Sequence, residues 1–104
     1  MHIQFNADKN LTIHEEFRDK LKDLLSDQLN RFSDKITRLE VHFSDENGNK
    51  EGQNDKRCML EARVEGRKSI AVTAYANNYE LALDASVEKL RSILDGFFEQ
   101  IRAY

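Results

Sequence analysis

The sequence predicts an α+β fold, a two-layer sandwich in which a four-stranded sheet carries two helices on one face. Three observations predict it. Four short stretches alternate apolar and polar side chains, the period of a half-buried strand, while two longer ones repeat apolar residues every three or four positions, the period of a helix. The six stretches come in the order β-α-β-β-β-α. Each helical stretch has a single apolar stripe, so both need burial, and one face of a four-stranded sheet has room for both. At 104 residues the chain supports one core and therefore one domain, residues 1–104.

The first strand is expected at His2 to Ala7, with Ile3 and Phe5 opposite Gln4 and Asn6, and the turn at Asp8 to Asn10. A helical stripe follows through Ile13, Phe17, Leu21, Leu24, Leu25, Leu29 and Phe32, with Thr12 as N-cap, Glu15 completing a capping box, and Ser33-Asp34 as the end. Ile36 to Phe43, Arg57 to Val64 and Ser69 to Tyr75 alternate as strands, the last two joined as a hairpin by Glu65-Gly66-Arg67-Lys68. From Tyr79 onward a long amphipathic helix runs to the end, and Gly96 within it leaves room for fraying or a bend beyond it. A helix between the first two strands lets them pair in parallel by a crossover, and the later strands form an antiparallel meander. The uncovered sheet face then carries Gln4, Arg38, Glu40, His42, Arg57, Met59, Glu61, Arg63, Thr73 and Tyr75.

Composition narrows the function. Charged residues make up 34% of the chain and hydrophobic ones 39%, a balance that folds and leaves a charged surface. No apolar run reaches the roughly 18 to 20 residues that cross a bilayer, and Met1-His2-Ile3-Gln4-Phe5 lacks a signal pattern, so a cytoplasmic protein without membrane contact is expected. Cys58 is the one cysteine, which excludes an internal disulfide and a thiolate zinc site and leaves a buried, reduced thiol. The net charge of −3 provides no overall field for nucleic acid, so its distribution matters. One stretch is locally basic: Lys56, Arg57, Arg63, Arg67 and Lys68 outnumber Glu61 and Glu65.

An acidic loop precedes that stretch. Asp45, Glu46, Asn47, Asn49, Glu51 and Asp55 resemble oxygen ligands for calcium, but counting from Asp45 the sixth residue is Lys50 and the twelfth Lys56, where an EF-hand needs glycine and glutamate. The loop reads instead as a solvated connection with Asn47-Gly48 as its tight turn, and no metal or other cofactor is expected. His2, His14 and His42 lie on different elements, none beside Cys58 or an oriented serine nucleophile, and no phosphate-binding glycine loop is present. An enzyme, and with it a small-molecule substrate, is not expected. Arg38, Arg57 and Arg63 have two readings, pairing with Glu40 and Glu61 across the sheet or contact with RNA. Arg67 and Lys68, at a hairpin tip, are better placed to reach phosphate. Tyr75 on the open face is either a base-stacking platform or an ordinary strand tyrosine.

Two stretches carry a resemblance to a known family. "SDKITRLEVHFSDENGNKEGQNDKRCMLEARVEGRKSIAVTA", Ser33 to Ala74, and "ELALDASVEKLRSIL", Glu80 to Leu94, resemble the ribosome hibernation promoting factors and ribosome-associated inhibitors, also called ribosomal subunit interface or sigma-54 modulation proteins, in their short form. The resemblance implies a double-stranded-RNA-binding-domain-like fold. It also implies binding to the small ribosomal subunit and its RNA in the decoding region, where occupancy of the messenger and transfer RNA path holds ribosomes idle in stress or stationary phase. Contacts in the family come from basic side chains on the two helices and the neighbouring sheet edge. Carried onto this chain, the match is Lys89 at the Lys-Leu step with Arg91 beside it, while Arg18, Lys20, Lys22 and Arg31 lie off the first helix's apolar stripe without a position-by-position match. Together with Arg67 and Lys68 from the hairpin tip, Lys89 and Arg91 are the leading expected contacts, and Arg18, Lys22, Arg31 and Arg63 are secondary. Where better-known members continue with basic residues, this chain has Ser92, Asp95 and Glu99, which predicts weaker and more salt-sensitive RNA binding. The alternative is a stress-regulatory protein-binding module of the same fold, acting through the open sheet face, an exposed edge strand, or a homodimer. The expected state is a monomer or weak homodimer.

Overall fold

The computed structural model describes residues 1–7, 13–46 and 54–102, the last four of these as backbone only. Its elements are β1 (His2–Ala7), α1 (Glu15–Gln28), a 3₁₀ turn (Asn30–Phe32), β2 (Ile36–Asp45), β3 (Lys56–Val64), β4 (Ile70–Ala76) and α2 (Tyr79–Arg102). The sheet order is β1-β2-β3-β4, with β1 parallel to β2 and the other neighbours antiparallel. Both helices cover one face, as the α+β sandwich requires.

The register explains which side chains meet. Ile3 and Phe5 stand beside Leu39 and Val41, which in turn oppose Ala62 and Leu60. This row and its neighbours Phe43, Cys58, Val64, Val72 and Ala74 form the sheet's inner face. Leu21, Leu25 and Leu29 from α1 and Leu83, Val87, Leu90 and Leu94 from α2 pack onto it, all of them buried. Phe43 meets Tyr79 edge to face, with ring centroids 5.1 Å apart, and fixes the start of α2 on the sheet. Ser86 is a buried hydroxyl within that apolar layer. It donates to the Leu83 carbonyl at 2.8 Å and lies 3.3 Å from Cys58 Sγ, so its polarity is satisfied locally.

Helix boundaries depart from the sequence pattern in three places. α1 starts at Glu15 with His14 at the N-cap, whose side chain makes no capping bond. Glu15 is thus the first helical residue and not the third, so it cannot close a capping box; Thr12 lies outside the described residues. Glu15 and Glu16 support the helix start by facing its positive end. The apolar stripe runs on to Phe32, but the α-helix stops at Gln28 and the chain tightens into the 3₁₀ turn, closed by Ser33 Oγ donating to the Asn30 carbonyl at 3.0 Å. α2 continues through Gly96 without interruption, because Leu94 and Phe98 on either side pack against the core. Asn78 begins this helix, its Oδ1 accepting from the Leu81 N–H at 2.8 Å.

Candidate nucleic-acid interface

The strand register gives the sandwich two chemically different ends. At one, Asp45 pairs with Lys56 and Lys56 with Ala76. At the other, Ile36 meets Val64 and Ala62 meets Ile70. The 3₁₀ turn, the β3-β4 hairpin and the C-terminal half of α2 gather at this second end. There the Glu65 N–H donates to the Lys35 carbonyl at 2.9 Å, and the Arg67 guanidinium lies 4.8 Å from the centre of the Phe97 ring. Arg31 pairs with Asp95 and also covers Phe32, while Phe32 stacks on Phe98 with centroids 5.8 Å apart. Gly66 makes the hairpin with φ +74, a left-handed conformation natural to glycine. The fold thus brings Arg31, distant in sequence, to the same end as Arg67 and Lys68 of the hairpin, with Arg63 nearby on β3 but on the open sheet face beside Arg38. It adds Lys35, exposed and level with the hairpin. Sequence reading does not single out Lys35, because beside Ser33-Asp34 it has the look of a turn residue; its place next to Glu65 is a tertiary fact.

The remaining candidates lie along the helices. Arg18 and Lys22 are four residues apart on the exposed side of α1 and point the same way. Lys20 bridges to Glu80 at 3.3 Å, Arg91 donates to Gln28 Oε1 at 2.9 Å, and Arg31 reaches Asp95. These three links zip α1 and the 3₁₀ turn to α2 in the same chain direction. Lys89 lies on the opposite flank of α2, where its Nζ donates to the Thr73 carbonyl at 2.7 Å on the outer edge of β4.

These environments sort the cations by charge balance. Arg18, Lys22, Arg63 and Lys68 make no side-chain hydrogen bond or ion pair with any described residue. The bonded partners of Lys89, Arg91 and Arg67 among the described residues are neutral: a carbonyl, an amide and a ring. Among the described residues, Arg31 is the one of the eight that is paired with a carboxylate. A phosphate gains most from the first two groups, since an anion need not displace another anion.

Acids set the limit of the surface. Glu80, Asp84 and Glu88 follow one another at one-turn spacing on α2, and burial, then the neighbouring Glu80 and Glu88 charges, push the Asp84 carboxyl up from its ordinary value. The N-terminal half of α2 therefore repels phosphate, and on α1 Arg18, Lys20 and Lys22 stand among Glu15, Glu16, Asp19, Asp23 and Asp27, which leaves the hairpin end as the more basic part of the surface.

The open sheet face is partly self-neutralised. Arg38 donates to Glu40 at 3.1 Å and also to Gln4, Arg57 approaches Glu46 at 3.7 Å, and Arg63 stands beside Arg38 without a carboxylate partner among the described residues. Arg38 thus pairs with an acid along its own strand, Glu40, and reaches across the sheet only to the neutral Gln4, while Arg57 pairs with Glu46; Glu61 is not the acid in either pair. Tyr75 is half exposed on this face. At the acidic loop, Lys56 Nζ sits 2.7 Å from Asp45 and 3.3 Å from Asp55, and the Asp45 hydrogen bond holds its ammonium above the usual lysine value. These carboxylates at the strand ends are thus engaged by a lysine; Asn47-Gly48, the expected turn, lies outside the described residues. Cys58 is buried against Ser86, and burial pushes its thiol up to about 11, which removes thiolate chemistry at neutral pH.

Comparison with known proteins places this geometry. The N-terminal domain of Protein Y from Thermus thermophilus is similar in structure, with a TM-score of 0.71, 21% identity, and coverage of 93% of this chain and 99% of that one. A ribosomal subunit interface protein from Coxiella burnetii is similar as well, with a TM-score of 0.70, 20% identity, and coverage of 95% and 99%. No curated protein matches by sequence. At these identities the likeness shows the fold. Residues 4–102 match the model of the family described as sigma 54 modulation protein / S30EA ribosomal protein, and with almost its whole length inside that match the chain belongs to this ribosome-associated family.

Proposed function

We propose that this protein binds the small ribosomal subunit in its decoding region, through ribosomal RNA, and silences the ribosome by occupying the path of messenger and transfer RNA. The observation that supports this reading most is the collection, at the hairpin end and along α1, of cations with no carboxylate partner among the described residues, in a chain whose net charge is −3. Arg67 and Lys68 at the hairpin end, with Lys35 beside them and Arg63 nearby on β3, meet one stretch of backbone phosphates. Arg18 and Lys22 on α1 meet another, and Lys89 and Arg91 exchange a carbonyl and an amide for phosphate oxygen. Arg31 contributes by holding the 3₁₀ turn on α2. No bond is made or broken: the action is steric, in the cytoplasm, and suited to stress or stationary phase, when ribosomes are held in reserve.

The acids of α2 make the interaction weaker than a uniformly basic helix pair gives, and so lost at lower salt, because they repel phosphate and reduce the number of phosphates the surface neutralises. The test is sedimentation of the purified protein with separated small subunits, large subunits and intact ribosomes at graded salt. Salt-sensitive, near-stoichiometric recovery with small subunits is expected. Recovery with large subunits alone, or with no particle at low salt, overturns the reading.

A further inference from the structure

The sheet has two edge strands, and they are finished differently. β4 is guarded: α2 lies over it and Lys89 occupies the Thr73 carbonyl on its outer edge. β1 has no neighbour on its outer side among the described residues. Its six residues, His2–Ala7, include no Lys, Arg, Asp, Glu or Pro, and its pairing with β2 runs without a bulge. These are the devices by which edge strands ordinarily avoid joining other strands, and none is used here. The core is also incompletely closed on this side. Ile3 and Phe5 from β1 and Phe17 from α1 pack on the core yet remain partly exposed, whereas the inner-face residues of β2 and β3 are buried.

We propose that two copies of this chain pair through their β1 edges, antiparallel and centred on Gln4, to form a continuous eight-stranded sheet. The unused backbone N–H and C=O groups of an edge are matched by an extended strand, which fixes the kind of partner. The residue pattern selects a second copy. About Gln4 the strand is a palindrome in polarity, polar-apolar-polar-apolar-polar. Antiparallel self-pairing there sets Ile3 against the copy's Phe5 on the core side, and His2 against its Asn6 on the open face. No like charges are opposed within the strand, and the twofold axis keeps all four helices on one face. Six residues of edge and a narrow apolar seam fall short of the roughly 1,600 Å² of a standard stable interface, so the pairing is weak and concentration-dependent. It does not depend on the ribosome reading.

The test follows from the register. In sedimentation equilibrium the wild type is expected to pass from monomer to dimer as concentration rises. His2→Lys with Asn6→Lys opposes ammonium groups twice across the twofold and weakens association about tenfold, whereas His2→Lys with Asn6→Glu preserves it. Directly opposed residues in antiparallel strands lie about 4.5 to 5.5 Å apart, within disulfide range, so Gln4→Cys should link into dimers under mild oxidation faster than Tyr75→Cys on the guarded edge. Buried Cys58 stays silent as an internal control. A wild type that remains monomeric at millimolar concentration, equal loss of association in both double variants, or equal linking at Gln4 and Tyr75 overturns the proposal.

Discussion

Replacing Arg18 and Lys22 together by glutamine tests the electrostatic account with the least disturbance to the fold. Both side chains are exposed and neither holds a described partner, so their loss strands no buried group and should leave unfolding free energy within about 0.5 kcal/mol of wild type. Each phosphate contact releases condensed counterions and contributes about 0.7 to 0.9 to the slope of log affinity against log salt, so the pair contributes roughly 1.5. Over a fourfold rise in salt, from about 50 to 200 mM, the wild type's advantage over the variant should therefore shrink by about eightfold. The assay is filter binding to isolated small subunits at several salt concentrations, with denaturant unfolding of both proteins alongside. Arg31→Gln is the contrast: its charge is already balanced by Asp95, so it should change the slope little and lower stability by up to about 1 kcal/mol. Parallel salt lines for the wild type and the Arg18, Lys22 variant would refute the placement of RNA on α1.

Four further outcomes are expected. Gly96→Ala should stabilise the protein by up to about 1 kcal/mol, since the helix continues through it and an added Cβ meets no atom within 4 Å. Gly66→Ala, with equal space but φ +74, should destabilise it by roughly 1 kcal/mol; thermal or denaturant melts of the pair check the opposite signs. Asp84→Asn should stabilise at pH 7 by a few tenths of a kcal/mol, because a carboxyl whose folded value is raised costs stability when ionised; the gain should fade as pH drops toward about 4. Cys58 should react with a disulfide reagent at pH 8 only at the rate of unfolding, and fast labelling of the folded protein would contradict its burial.

The fold was legible because each element has one clear period. The alternation of Leu39, Val41 and Phe43 and the stripe Leu83, Val87, Leu90 and Leu94 both point to the layer that the structure fills. What sequence could not supply was mutual position. The Thr12-Glu15 capping pattern is sufficient by spacing, yet α1 begins at Glu15, with His14 at the N-cap and Phe17 and Leu21 packed in or against the core. The resemblance supplies Lys89 and Arg91 as expected RNA contacts, alongside Arg67 and Lys68 from the hairpin tip. The structure shows Lys89 and Arg91 each already bonded to a neutral group, and gathers Arg67 and Lys68 with the unremarked Lys35, Arg63 standing nearby on β3. Asn78 as the cap of α2 was readable from residue type, standing just before the stripe.

The central claim is where the protein sits, and chemical footprinting of small-subunit RNA tests it most directly. With the protein bound at low salt, protection concentrated in the decoding region, lost when messenger and transfer RNA are bound first, is the predicted result. Protection elsewhere on the subunit, or protection unaffected by those ligands, would contradict occupancy of their path.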